Sequence, residues 1–101
     1  MNIGIVGCGR FGFSLLSFLA AKGIDVLVLD KNREVVQRVS ALTARAVQGD
    51  AAEDGVLKEA GFSECNAVVI AIGANMEGSI LAAMALKEMQ IPLIIAKAVT
   101  E

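Results

Sequence analysis

The sequence predicts an α/β fold in which an open parallel sheet is wound on both faces by helices. Three observations carry this. Short apolar runs of four to six residues alternate with helical patterns along the chain. The first run leads straight into a glycine-rich loop, Gly7-Cys8-Gly9-Arg10-Phe11-Gly12. Aromatics are only 4% of the 101 residues, so packing falls to Val, Ile, Leu, Ala and Met, the usual filling of strands buried on both faces.

Each element follows from its pattern. Residues 3–6 read as a buried strand, and residues 10–22 as a helix with Gly23 at its C-cap. Residues 25–29 (DVLVL) form a second strand. Residues 32–40 are a helix that Asn32 or Asp30 can cap, with Val35, Val36 and Val39 on one face. A short third strand spans 44–47, and a helix spans 53–60, closed by Gly61. The most hydrophobic strand is 67–72 (AVVIAI); a helix at 76–89 and a strand at 93–96, introduced by Pro92, complete the series. Such an alternation demands a parallel sheet. Right-handed crossovers and a glycine loop after the first strand favour the order 3-2-1-4-5. The expected architecture is therefore a Rossmann-like, doubly wound parallel sheet. A sixth strand, normal in such sheets, has no counterpart, so the expectation is one domain over 1–101 that is truncated or completed by another chain.

Composition excludes several classes. Hydrophobic residues are 55% and charged residues 20%, too apolar a balance for disorder. The net charge is −2 with both signs interspersed, and no basic stripe is present, which argues against nucleic acid as a partner. No apolar run reaches the ~18 residues of a membrane helix; the nearest, 67–86, is broken by Gly73, Asn75, Glu77 and Gly78. The N-terminus lacks the basic region of a signal peptide. A cytosolic protein is expected. Cys8 and Cys65 have no metal-like spacing and the chain has no histidine, so free thiols are the simplest reading. Cys8 sits at a predicted helix N-terminus, which could lower its pKa, but a small residue filling the loop is a simpler reading than a redox role.

The glycine loop carries the chemistry. A GxGxxG pattern is weak alone, but here it follows a strand, opens a helix, and is followed 18 residues later by an acid, Asp30, at the end of the second strand. Gly7 permits the tight turn, Gly9 lets backbone approach a pyrophosphate, and Gly12 lets helix pack on sheet. The helix N-terminus then holds phosphates. Asp30 can accept hydrogen bonds from ribose hydroxyls and repel a 2′-phosphate, a preference that Lys31 and Arg33 temper. Arg10 can reach a terminal phosphate as a charged donor, or be a solvated residue at the helix start. Gly49-Asp50 follows the third strand, where Asp50 contacts adenosine, caps the next helix, or does both. Ala71, Ile72 and Gly73 leave room for a ligand across the switch point from the loop, and Asn75 caps a helix or contacts that ligand. Lys97, at the end of the fifth strand, faces phosphate or solvent.

Two function classes compete. One is the cofactor half of an NAD-dependent oxidoreductase. The chain has no tyrosine and no histidine, so neither a Tyr/Lys nor a His/Asp hydride-transfer site is available within it. The other class is a regulatory module that binds a nucleotide and changes shape or assembly.

The stretches 3–12 (IGIVGCGRFG), 29–32 (LDKN), 48–51 (QGDA), 69–75 (VIAIGAN) and 94–98 (IIAKA) together resemble the KTN (RCK, TrkA-N) family, the nucleotide-binding regulators of bacterial potassium uptake. Arg-Phe-Gly in the loop and Gly-Asp after the third strand are more specific than the glycines alone. The resemblance implies a cytosolic, non-enzymatic regulatory domain that binds NAD(H) or ATP/ADP and lies beneath a membrane potassium channel or transporter subunit. It implies dimers and, when the fold is completed, an octameric ring. By matching position, Gly7 to Gly12 would cradle the phosphates and Arg10 would contact the terminal ones. Asp30 would hold the ribose, Asp50 with Ala51 would border the adenine, and Lys97 would face the phosphate end. The helix at 76–89, with Ile80, Met84 and the small Ala82, Ala83 and Ala85, is a candidate interface beyond the face it must bury.

Overall fold

A computed structural model describes residues 1–73 and 76–97. The elements follow in the expected order: β1 Asn2–Val6, α1 Arg10–Ala21, β2 Asp25–Asp30, α2 Arg33–Val39, β3 Arg45–Gln48, α3 Val56–Ala60, a 3-10 turn at Phe62–Glu64, β4 Ala67–Ile70, α4 Met76–Glu88 and β5 Leu93–Ala96. The strands form one parallel sheet in the order β3-β2-β1-β4-β5. That is the topology the alternation of runs predicts.

Period-two alternation divides the core. Val26 and Val28 of β2 face one layer, together with Ile5, Leu16, Leu19 and Val39. Leu27 and Leu29 face the other, with Val6, Leu57, Phe62, Val68, Ile70, Ala82 and Leu86. Helices α1 and α2 thus cover one face, and α3, the 3-10 turn and α4 the other. The first layer stops short. In β5, Ile94 packs on the α4 side, whereas Leu93 and Ile95 are exposed. The helix expected at 76–89 buries Ala82 and Leu86 and leaves Ile80 and Met84 exposed.

Two boundaries differ from expectation, each for a local reason, and one cap is decided between its two candidates. The fourth strand ends at Ile70, not at 72: Lys97 N–H still donates to Ile70 O at 2.9 Å, and the chain beyond leaves the ladder to pass against Gly7. The third helix starts at Val56 rather than 53. The Asp50 side chain accepts from Ala52 N–H at 2.9 Å, forming a turn, and Gly55 follows in the left-handed region at φ 81. Asn32, not Asp30, caps α2: its side chain accepts from Glu34 N–H at 2.8 Å.

Candidate functional site

Every strand of a parallel sheet delivers its carboxyl end to the same edge, and β1 and β4 are the neighbours at which the chain order reverses. A cleft of about 460 Å³ opens there. Its lining contains Gly7, Cys8, Gly9, Arg10, Phe11, Asp30, Lys31, Gly49, Asp50, Ala51, Ala71, Ile72, Gly73 and Lys97. The structure therefore brings together in one cleft all but two of the residues singled out from the sequence. Gly12 lies behind the cleft wall, and Asn75 lies outside the described residues.

The glycines have separate tasks. Gly7 sits at φ 88, and a Cβ there would lie 2.9 Å from Ala71 O. Only glycine lets the loop pass so close to the chain leaving β4. A Cβ on Gly12 would lie 2.5 Å from Gly7 O, so its absence lets α1 start directly on the loop. Around Gly9 nothing lies within 4 Å of the Cβ position, and the missing side chain leaves the cleft open. Gly9 is also the N-cap of α1, with no side-chain cap and no acid in the first turn. The first N–H groups of a helix have no partner within it, and α1 supplies none from its own side chains.

Asp30 does more than line the cleft. Its Oδ2 accepts from Cys8 N–H at 2.6 Å and its Oδ1 from Asn32 N–H at 2.8 Å. One carboxylate thus ties the glycine loop to the β2–α2 turn. Each oxygen has a second lone pair, so capacity for further donors remains. At the β3 end, Lys31 Nζ stands 3.9 Å from Asp50 Oδ2. Asp50 uses its other oxygen in the turn to Ala52 and does not cap α3, whose N-cap is Gly55.

Charged groups stand on both sides of the cleft. Asp30, Asp50 and Lys31 follow β2 and β3, on one side of β1. Arg10 opens α1, and Lys97 follows β5 on the opposite side. The Lys97 ammonium lies over the Phe11 ring, 5.6 Å from its centroid.

Cys8 takes the simpler of its two readings, a small residue filling the loop. Its thiol is buried and its pKa is pushed up from 9.0 to about 11, first by burial and then by the nearby Asp30 charge, with Arg38 opposing. Loss of solvation is the largest cause. Cys8 is thus a buried wall residue, and thiol reagents at pH 8 are expected to leave it unmodified in the native protein; prompt labelling would refute this. Between pH 9 and 11 the unfolded thiol releases its proton while the folded one keeps it. Stability should therefore fall as pH rises through that window, and a Cys8→Ala variant should show a flatter decline.

Val6, Leu29, Asn32, Val35 and Gly78 also line the cleft, and sequence reasoning missed them. Gly78 had a signal: a glycine one turn into a helix is costly unless something needs the space. Val35 was read only as part of a buried helix face, because periodicity does not say what that face meets.

Residues 3–101 match the TrkA-N domain. The chain belongs to the TrkA-N domain family. This TrkA-N chain is 35% identical over 94 residues to Ktr system potassium uptake protein C and 38% identical over 94 residues to Ktr system potassium uptake protein A, both of Bacillus subtilis (strain 168). Each alignment takes in 93% of this chain but only 42% of the relative, so the chain spans less than half the length of those proteins. Among solved structures, the Shewanella denitrificans Kef CTD in AMP bound form superposes with a TM-score of 0.81 at 26% identity, covering 99% of this chain and 60% of that one. Among the described residues of the TrkA-N chain, no helix is long and apolar enough to cross a membrane.

Proposed function

We propose that this TrkA-N domain binds an adenine nucleotide in the cleft at the carboxyl edge of its sheet and serves as the cytosolic regulatory part of a potassium transport system. One observation carries the reading: the open space at Gly9, beside an uncapped α1 N-terminus, shares one cleft with the Asp30 carboxylate and with Arg10 and Lys97. That combination suits a ligand that carries both ribose hydroxyls and phosphates. The Gly7–Gly12 loop cradles the phosphates, Arg10 and Lys97 face the outer ones, Asp30 accepts from the ribose, and Asp50 with Ala51 borders the base. NAD(H) and ATP/ADP both meet this description.

The relatives named as potassium uptake proteins, and the related structure described as AMP bound, support a nucleotide read as a signal rather than consumed. The partner is then a membrane potassium channel or transporter subunit, with the domain self-associating as a dimer and, in the completed protein, as a ring. Without histidine or tyrosine the chain has no ready proton donor for hydride chemistry, so it is read as a non-enzyme.

Titration calorimetry with ATP, ADP, NAD and NADH tests the ligand. Binding of at least one is expected, with no turnover of NADH in a parallel absorbance assay. Silence from all four would refute the nucleotide reading, and turnover of NADH with a carbonyl substrate would favour the cofactor half of an oxidoreductase.

A further inference from the structure

Lys97 and Phe11 are far apart in sequence and meet at the mouth of the cleft. The Lys97 backbone is pinned, its N–H donating to Ile70 O at 2.9 Å. Its side chain crosses from the end of β5 to the first turn of α1, where the ammonium lies 5.6 Å from the centre of the Phe11 ring. Phe11 is 44% exposed and lines the cleft, so its side chain is accessible to a bound ligand. Among the described residues Lys97 has no carboxylate partner: the ion pairs are Lys31 with Asp50 and Arg45 with Asp25. The cation is therefore held at a cleft wall by a ring alone.

We propose that Lys97 and Phe11 form a charge-responsive latch that selects nucleotides by the free phosphates beyond the first. In the empty cleft the ammonium rests on Phe11. A ligand carrying free outer phosphates draws it off the ring, because an exposed cation–π contact is weaker than a hydrogen bond between two charged groups. The pinned backbone makes the exchange a side-chain swing rather than a movement of β5. AMP has no outer phosphate, and the second phosphate of NAD is esterified to nicotinamide riboside and carries a single charge, so neither offers the ammonium an equivalent partner. The latch thus favours ATP and ADP and uncovers the Phe11 face only when they are bound. This inference rests on the nucleotide reading above and adds a specificity to it.

The test uses the full chain with ATP, ADP, AMP and NAD as probes. Proton NMR of the Lys97 ε-methylene reads the resting state directly, since a position over an aromatic ring shifts these protons upfield. The upfield shift is expected in the free protein, lost with ATP, kept with AMP, and absent from Phe11→Leu. Calorimetry reads the selectivity. Lys97→Gln should lower the ratio of ATP to AMP affinity about tenfold, the scale of one lost charged hydrogen bond. Phe11→Leu removes the competing perch and should raise that ratio several-fold, but only while Lys97 is present, so the double variant should match Lys97→Gln. Overturning results are an unshifted ε-methylene in the free protein, a shift unmoved by ATP, equal losses for AMP and ATP, or additive effects in the double variant. If none of the four probes binds, the nucleotide reading fails and takes the latch with it. If they bind and the Lys97 signals stay still, the latch alone fails.

Discussion

Asp30→Ala is expected to weaken nucleotide binding by roughly ten- to a hundredfold, the worth of a charged hydrogen bond of about 1.5–3 kcal/mol. The structure adds a second expected effect. The carboxylate also holds Cys8 N–H at 2.6 Å and Asn32 N–H at 2.8 Å; its removal leaves the part-buried Cys8 N–H unpaired at the root of the glycine loop and returns the exposed Asn32 N–H to water. A partly buried donor without a partner costs about 1–3 kcal/mol, and each kcal/mol lowers the melting midpoint of a domain this size by about 4–8 °C. Asp30→Asn separates the two roles. Its amide nitrogen cannot accept, so one backbone bond is lost while one acceptor remains for a ribose. Thermal melts with and without ligand would show it. An unchanged affinity in Asp30→Ala would place the acid outside the site, and an unchanged midpoint would show that the tie to Cys8 contributes nothing.

The second large effect contrasts two glycines of one motif. Gly7→Ala is expected to lower stability by about 2–5 kcal/mol, combining left-handed backbone strain of about 1–2 kcal/mol with an overpacking cost of about 1–3 kcal/mol. The strain follows from φ 88, and the overpacking from a methyl carbon 2.9 Å from a backbone oxygen that cannot swing aside. Gly9→Ala meets no atom within 4 Å and has φ −75, so its cost to stability should stay below about 1 kcal/mol. Its methyl group instead points into the open cleft, and binding should fall. Denaturant midpoints paired with calorimetry would separate the two. Equal stability losses at both positions would contradict the division of labour between turn and ligand space.

Much of this was legible before folding. The run DVLVL was legible as a strand but, being apolar throughout after Asp25, it did not say which residues face which layer; Val26 and Val28 part from Leu27 and Leu29 only in the folded sheet. The glycine loop, Asp30, Gly49-Asp50 and Lys97 were each found at a strand end, and a parallel sheet sends all strand ends to one edge. Boundaries were less legible. The turn from Asp50 to Gly55 displaced the start of α3, because a side chain bonding its own backbone competes locally with helix.

What the sequence determined by itself was the order of elements and most of the membership of the cleft. These are written in short-range periodicity and in residues whose backbone demands are local. Only the tertiary structure decided what those residues do to one another. Asp30 is a tie between loop and turn as well as a candidate ribose acceptor. Cys8 is held neutral by burial where a helix N-terminus alone would favour the thiolate. Lys97 rests on Phe11, although nothing near either residue in the chain announces the other. Each of these depends on distances between strand ends, which are set by the order and spacing of strands in the assembled sheet, and on solvent removed by layers that exist only once the sheet is covered.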